Sequence, residues 1–115
     1  MTTKRGRKPA PPDTAHDDWL ADRLRNTELA AEYLNASLAE GDQAAFMLAL
    51  RDVAKARGGI AGVARLTGLN RVSLSRALSV EGNPELQSLR RILAATGLQL
   101  AVVRARRKSA RQKTA

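Results

Sequence analysis

The sequence predicts an all-α fold of about five short helices followed by a short C-terminal strand, and three observations lead there. Between Thr27 and Val103 apolar residues recur at helical spacing. The segments that carry them are separated by glycines and opened by residues suited to cap a helix. Only Leu98-Gln99-Leu100-Ala101-Val102-Val103 has strand character, with no second strand to accompany it.

Each element has a local justification. Thr27 is the expected N-cap of the first helix, which buries Leu29, Tyr33, Leu34 and Leu38 and ends at Gly41. Asp42 caps the second, with Phe46, Met47, Leu50, Val53 and Ala54 inward, and Gly58-Gly59 stops it. A third helix covers about Ile60 to Leu66, and Gly68 breaks it. Asn70 caps a fourth, from Arg71 to about Ser79. Asn83 followed by Pro84 opens the fifth, which turns Leu86, Leu89, Ile92 and Leu93 inward and ends at Gly97. An isolated strand is unstable, so residues 98–103 are expected to pair with their own copy in a homodimer, or else to pack as an extended tail on the fifth helix.

The 115 residues suffice for one compact core with two arms. We divide them into a disordered basic arm at 1–18, a folded domain at 19–103 and a second disordered basic arm at 104–115. Trp19 and Leu20 either dock on the domain or lie free of it. The net charge of +9 is unevenly spread: residues 1–12 and 98–115 are basic, 13–18 are acidic, 19–57 are nearly balanced and 58–97 are basic. Such a surplus points first to nucleic acid and second to an anionic membrane surface. The longest apolar run, Ala44 to Leu50, is far short of the roughly 18 residues that span a bilayer. The prolines after the first basic residues do not read as a secretion signal, so the expected compartment is the cytoplasm.

Composition argues against most catalytic chemistry. Without cysteine there are no disulfides, thiolate metal sites or cysteine nucleophiles, and the single histidine, His16, is too little for a histidine metal site. Gly58-Gly59-Ile60-Ala61-Gly62 lacks the strand before it and the Gly-Lys-Ser/Thr after it that a phosphate loop requires. The carboxylates Glu28, Glu32, Glu40, Asp42 and Asp52 are scattered, and read either as a solvated helix face or as a contact surface for a basic protein. No enzyme, cofactor or metal is expected.

Ile60 to Leu78 carries the most specific pattern. Small Ala64, turn-forming Gly68 and apolar Leu69, followed by Leu74, Ala77 and Leu78, match the spacing of a DNA-binding helix-turn-helix. On a helical wheel Leu74, Ala77 and Leu78 define the buried side, so Val72, Ser75, Arg76 and Ser79 face outward. Small polar side chains let a helix approach base edges, Arg76 suits guanine, and Val72 suits a thymine methyl. Asn70, Arg71 and Ser73 begin the helix, where phosphates and first bases are contacted.

From Thr27 to Val103 the chain resembles the HigA-like antidote proteins of bacterial type II toxin–antitoxin modules, in stretches whose order and spacing match. These are Ala31 to Asn35 with Glu40-Gly41-Asp42, Asp52 to Gly58, Ala64 to Leu69, and Ala77-Leu78-Ser79 leading to Gly82-Asn83-Pro84. The resemblance implies a lambda-repressor-like, Xre/Cro-type fold and a homodimer that represses its own operon at a double-stranded DNA operator. It also implies neutralisation of a small RelE/HigB-like toxin. The family often has an aromatic residue where this chain has Ser75, so its operator sequences do not carry over. A stand-alone regulator, or a small architectural DNA-binding protein without a toxin, is the alternative.

The arms add backbone or minor-groove contacts. Lys4-Arg5-Gly6-Arg7-Lys8-Pro9 resembles an AT-hook core, whose glycine would let Arg5 and Arg7 reach a narrow groove floor; a plain phosphate-attracted tail is the other reading. Arg104, Arg106, Arg107 and Lys108 have no such glycine and read as a phosphate-binding arm.

Overall fold

The computed structural model describes residues 12–105, with side chains from His16 onward. Six helices follow one another: α1 (Pro12–Leu24), α2 (Thr27–Ala39), α3 (Gln43–Ala56), α4 (Gly59–Thr67), α5 (Arg71–Ala77) and α6 (Leu86–Ala95). The all-α expectation holds for the described residues.

α3 is the centre of the molecule. Its residues Phe46, Met47, Ala49, Leu50, Val53 and Ala54 are buried on two adjoining sides, so that α1, α2 and α4 all pack against it. α4 in turn supports α5 and α6. Leu24, Leu34, Val63, Leu74, Leu78 and Ile92 complete one continuous core. The buried hydroxyls of Ser37, Thr67 and Thr96 each donate to the carbonyl three residues earlier, which satisfies them without a long-range partner.

α1 is the departure from the sequence reading, which places residues 12–18 in a disordered arm. Proline is tolerated at a first helical position because that N–H has no partner in the helix anyway, and Pro12 occupies it here. Burial of Leu24, with Leu20 packed against the core, gives the helix a tertiary anchor that its polar first half lacks.

Several ends also differ. Asn26, not Thr27, caps α2: its side chain accepts from the Leu29 N–H at 3.0 Å. The Thr27 hydroxyl instead accepts from Arg57 at 3.0 Å. Asp42 caps α3 as expected, accepting from the N–H groups of Ala44 and Ala45. α6 starts at Leu86 rather than Pro84, because Asn83 and Pro84 belong to a loop held by the Gln43 side chain, which donates to the Gly82 carbonyl at 3.0 Å. Gly82 itself touches the end of α5: a Cβ there would lie 1.9 Å from the Ala77 carbonyl oxygen. Leu38 and Leu86, both expected inward, are 51% and 64% exposed.

Arg57 ties separate helix ends together. From the C-cap of α3 its guanidinium donates to the carbonyls of Leu24 and Arg25 at the end of α1, to the Thr27 hydroxyl at the start of α2, and to the Thr96 carbonyl after α6. A cation at helix C-termini satisfies both the orphan carbonyls and the helix dipole.

The expected C-terminal strand is not formed in the single chain: residues 98–105 are neither helix nor strand. Leu98 packs on the core, whereas Leu100, Val102 and Val103 stand exposed.

Candidate nucleic-acid interface

α4, a three-residue connection and α5 form the candidate site. Gly68 ends α4 with φ of +81°, a left-handed conformation that glycine adopts without steric cost, and its N–H returns to the Ala64 carbonyl. The Thr67 hydroxyl accepts from the Leu69 N–H at 3.2 Å, which holds the connection at its midpoint. Asn70 then accepts from the Ser73 N–H at 2.7 Å and starts α5. All three residues act locally, which is why the pattern is readable in sequence.

α5 is held by Leu74 and, just after its end, Leu78, both fully buried. Its opposite side is open: Val72 is 67% exposed, and Ser75 and Arg76 are exposed with it. Val72 and Arg76 are four residues apart and form one strip along the helix. Asn70, Arg71 and Ser73 are exposed at the start of α5, although the Asn70 side-chain oxygen is engaged as the cap. Ser79 differs. It follows the helix, is half-buried, and donates its hydroxyl to the Arg76 carbonyl at 2.8 Å.

The charge around this unit is cationic. Residues 58–105 carry Arg65, Arg71, Arg76, Arg90, Arg91 and Arg104 against Glu81 and Glu85, a net of +4. All six arginines are exposed, and among the described residues none is held in an ion pair. Arg65, Arg90 and Arg91 belong to the basic stretch 58–97, and their exposure on α4 and α6 is a tertiary result. Arg5, Arg7, Arg106, Arg107 and Lys108 lie outside the described residues.

The candidate carboxylates do not form one set. Asp42 is engaged as a helix cap. Asp52 accepts from the Tyr33 hydroxyl at 2.8 Å in a half-buried contact between α2 and α3. The Tyr33 phenol is pushed up to about 12, first by burial, then by its hydrogen bond to Asp52 and by that carboxylate's charge. Glu28, Glu32 and Glu40 remain on the surface. No group of acidic or histidine side chains among the described residues is arranged to hold a metal ion. No described helix is long and apolar enough to cross a membrane.

Fold and surface together define a small helical domain with a short, arginine-bearing helix presented outward on a rigid turn. A family profile described as probable addiction module antidote protein matches residues 15–104, and the chain belongs to that family. It is also similar to an uncharacterized protein of Haemophilus influenzae, with 34% identity over 87 residues that cover 76% of this chain and 89% of the relative. No solved structure matches the chain. Membership in an antidote family implies a toxin partner of some kind.

Proposed function

We propose that the protein is the antitoxin of a type II toxin–antitoxin module: a homodimeric, sequence-specific repressor of its own operon that also neutralises a RelE/HigB-like toxin. The fold we assign to it is the lambda-repressor-like helix-turn-helix domain, with α4 as the first helix of the motif and α5 as the recognition helix. The observation that carries the DNA half is the outward strip of α5, with Val72 and Arg76 aligned, Ser75 beside them and Leu74 buried behind. On that strip Arg76 is placed to fork onto guanine O6 and N7, and Val72 to meet a thymine methyl. Asn70, Arg71 and Ser73 contact phosphates and first bases at the entrance of the groove, and Arg104 with the two arms neutralises flanking phosphates.

Exposed Leu100, Val102 and Val103 support the homodimer, because pairing residues 98–103 with a second copy covers apolar side chains and satisfies backbone groups together. Two copies of α5 then enter successive major grooves about one turn apart on a nearly palindromic operator. The action is binding rather than catalysis, in the cytoplasm.

Arg76→Ala tests the assignment. Loss of a bidentate base contact is worth about 1–3 kcal/mol, or roughly 5- to 150-fold per half-site, so operator affinity of the dimer falls by at least that much while the melting temperature stays unchanged. An unaltered operator footprint would overturn the role of Arg76. Equal, salt-erased binding of the wild type to its own promoter, unrelated duplexes and heparin would overturn sequence-specific repression altogether.

A further inference from the structure

The outer side of α1 and α2 is the chemical opposite of α5. Between His16 and Asp42 the chain carries seven acids and two bases, a net of −5 with His16 neutral, in a molecule whose total is +9. The two helices pack together and leave an open groove of about 440 Å³, lined by Leu20, Leu29 and the Tyr33 ring and bordered by Trp19, the cationic Arg23 and Glu32, with Glu28 one turn beyond its edge.

Trp19, the chain's single tryptophan, is 56% exposed at this groove. Its ring is nevertheless braced: the Arg23 guanidinium lies 5.1 Å from the ring centroid and the His16 ring 5.8 Å away. A braced aromatic ring loses little freedom on binding, which is the property of an interface anchor. On α2, Glu28 lies one turn before Glu32 on the same strip. Both are exposed like charges four residues apart, a mutually repulsive arrangement, and neither has an ion-pair partner among the described residues. A cation between them would relieve that repulsion.

We propose that this groove is the docking surface for the toxin, and that it takes a segment presenting an apolar residue to Trp19 between flanking lysines or arginines. The proposal rests on the antitoxin reading and adds to it the surface and the chemistry of the contact. The sign of the charge selects the occupant: Glu28 and Glu32 repel nucleic-acid phosphates and attract a basic protein.

The test uses the full chain labelled with fluorotryptophan, which gives one fluorine resonance, from Trp19. The probe is the product of the reading frame directly adjoining this gene, in an inactive form, and a neighbouring frame that encodes no small basic protein would count against both the antitoxin reading and this surface. Addition of the probe shifts the resonance, and addition of operator DNA does not. The double variant Glu28→Gln, Glu32→Gln, and separately Trp19→Ala, lower toxin affinity at least about 30-fold while the chain stays folded and operator affinity does not fall. If the variants bind the probe as tightly as the wild type, the groove is not the toxin surface, although the antitoxin reading survives. If the wild type does not bind the probe at all, both fall. A resonance that moves when residues 1–11 are removed, and not when the probe is added, would assign the groove to the chain's own basic arm and overturn the proposal.

Discussion

The α1–α2 pair and the α4–α5 pair are both two helices packed on the same core, yet they are assembled by different means. α4 and α5 are joined by a short connection in which each residue has a local task, from the left-handed Gly68 to the Asn70 cap. α1 and α2 depend on distant groups: Leu24 is buried in the common core, and the ends of both helices are held by Arg57 from α3. One pair is a rigid presentation of cationic side chains. The other is an acidic surface held by buried side chains such as Leu24 and Leu34 and by one guanidinium that bonds the ends of both helices. The difference leads us to expect that mutation can weaken one surface before the other, although both share one core.

Arg57→Ala is expected to have the largest effect. It strands the carbonyls of Leu24, Arg25 and Thr96 and should cost roughly 2–4 kcal/mol in chemical denaturation. Hydrogen exchange would show protection lost first in α1 and last in α3. Arg57→Lys should recover little, since one ammonium cannot reproduce the planar fork. If α1 and α5 lose protection equally, the two pairs are one cooperative unit and the contrast fails.

The converse experiment is Gly82→Ala. Its Cβ would meet the Ala77 carbonyl, a backbone group that cannot move aside cheaply, so a cost of about 1–3 kcal/mol is expected. The damage should fall on α5 and the 79–85 loop, and be read there by exchange, with α1 spared. Asn70→Ala removes one cap and should cost about 1 kcal/mol, measured as a lowered denaturation midpoint. It sharpens the comparison because the turn has no long-range bond to compensate.

The smallest effect is a titration. Tyr33 is the chain's single tyrosine, so phenolate absorbance reports on the α2–α3 contact alone. The folded chain holds this proton more tightly than the unfolded one. The stabilisation is therefore complete below the ordinary tyrosine value of 10.0 and is lost as pH rises through about 12. Asp52→Asn should bring the midpoint down toward 10.0 without reaching it, because burial, the larger cause, remains. A midpoint unchanged by Asp52→Asn would show that the carboxylate contributes nothing.

How much of this was legible depended on distance along the chain. Phe46, Met47, Leu50, Val53 and Ala54 could be placed inside from periodicity, since a helix puts residues three and four apart on one face whatever surrounds it. The break at Gly68, the Asn70 and Asp42 caps and the outward strip Val72–Arg76 were equally plain. Periodicity failed at Leu38 and Leu86, which keep the helical spacing but stand exposed, Leu38 at the rim of a cavity it shares with Phe46 and Met47. It also failed at α1, whose polar first half carries no helical signal without its anchor at Leu24.

Sequence by itself determined the helical class, the central helix, the turn before α5 and the surplus of positive charge, because each follows from bonds and sterics spanning a few residues. Tertiary structure alone decided that Asp52 meets Tyr33 across nineteen positions, that Arg57 reaches carbonyls more than thirty positions away, and that Trp19 stands beside Glu32 at one groove. No local rule encodes such meetings. They arise when the entropy of closing long loops has been overcome by burial of the shared core, and side chains far apart in the chain are brought within bonding distance.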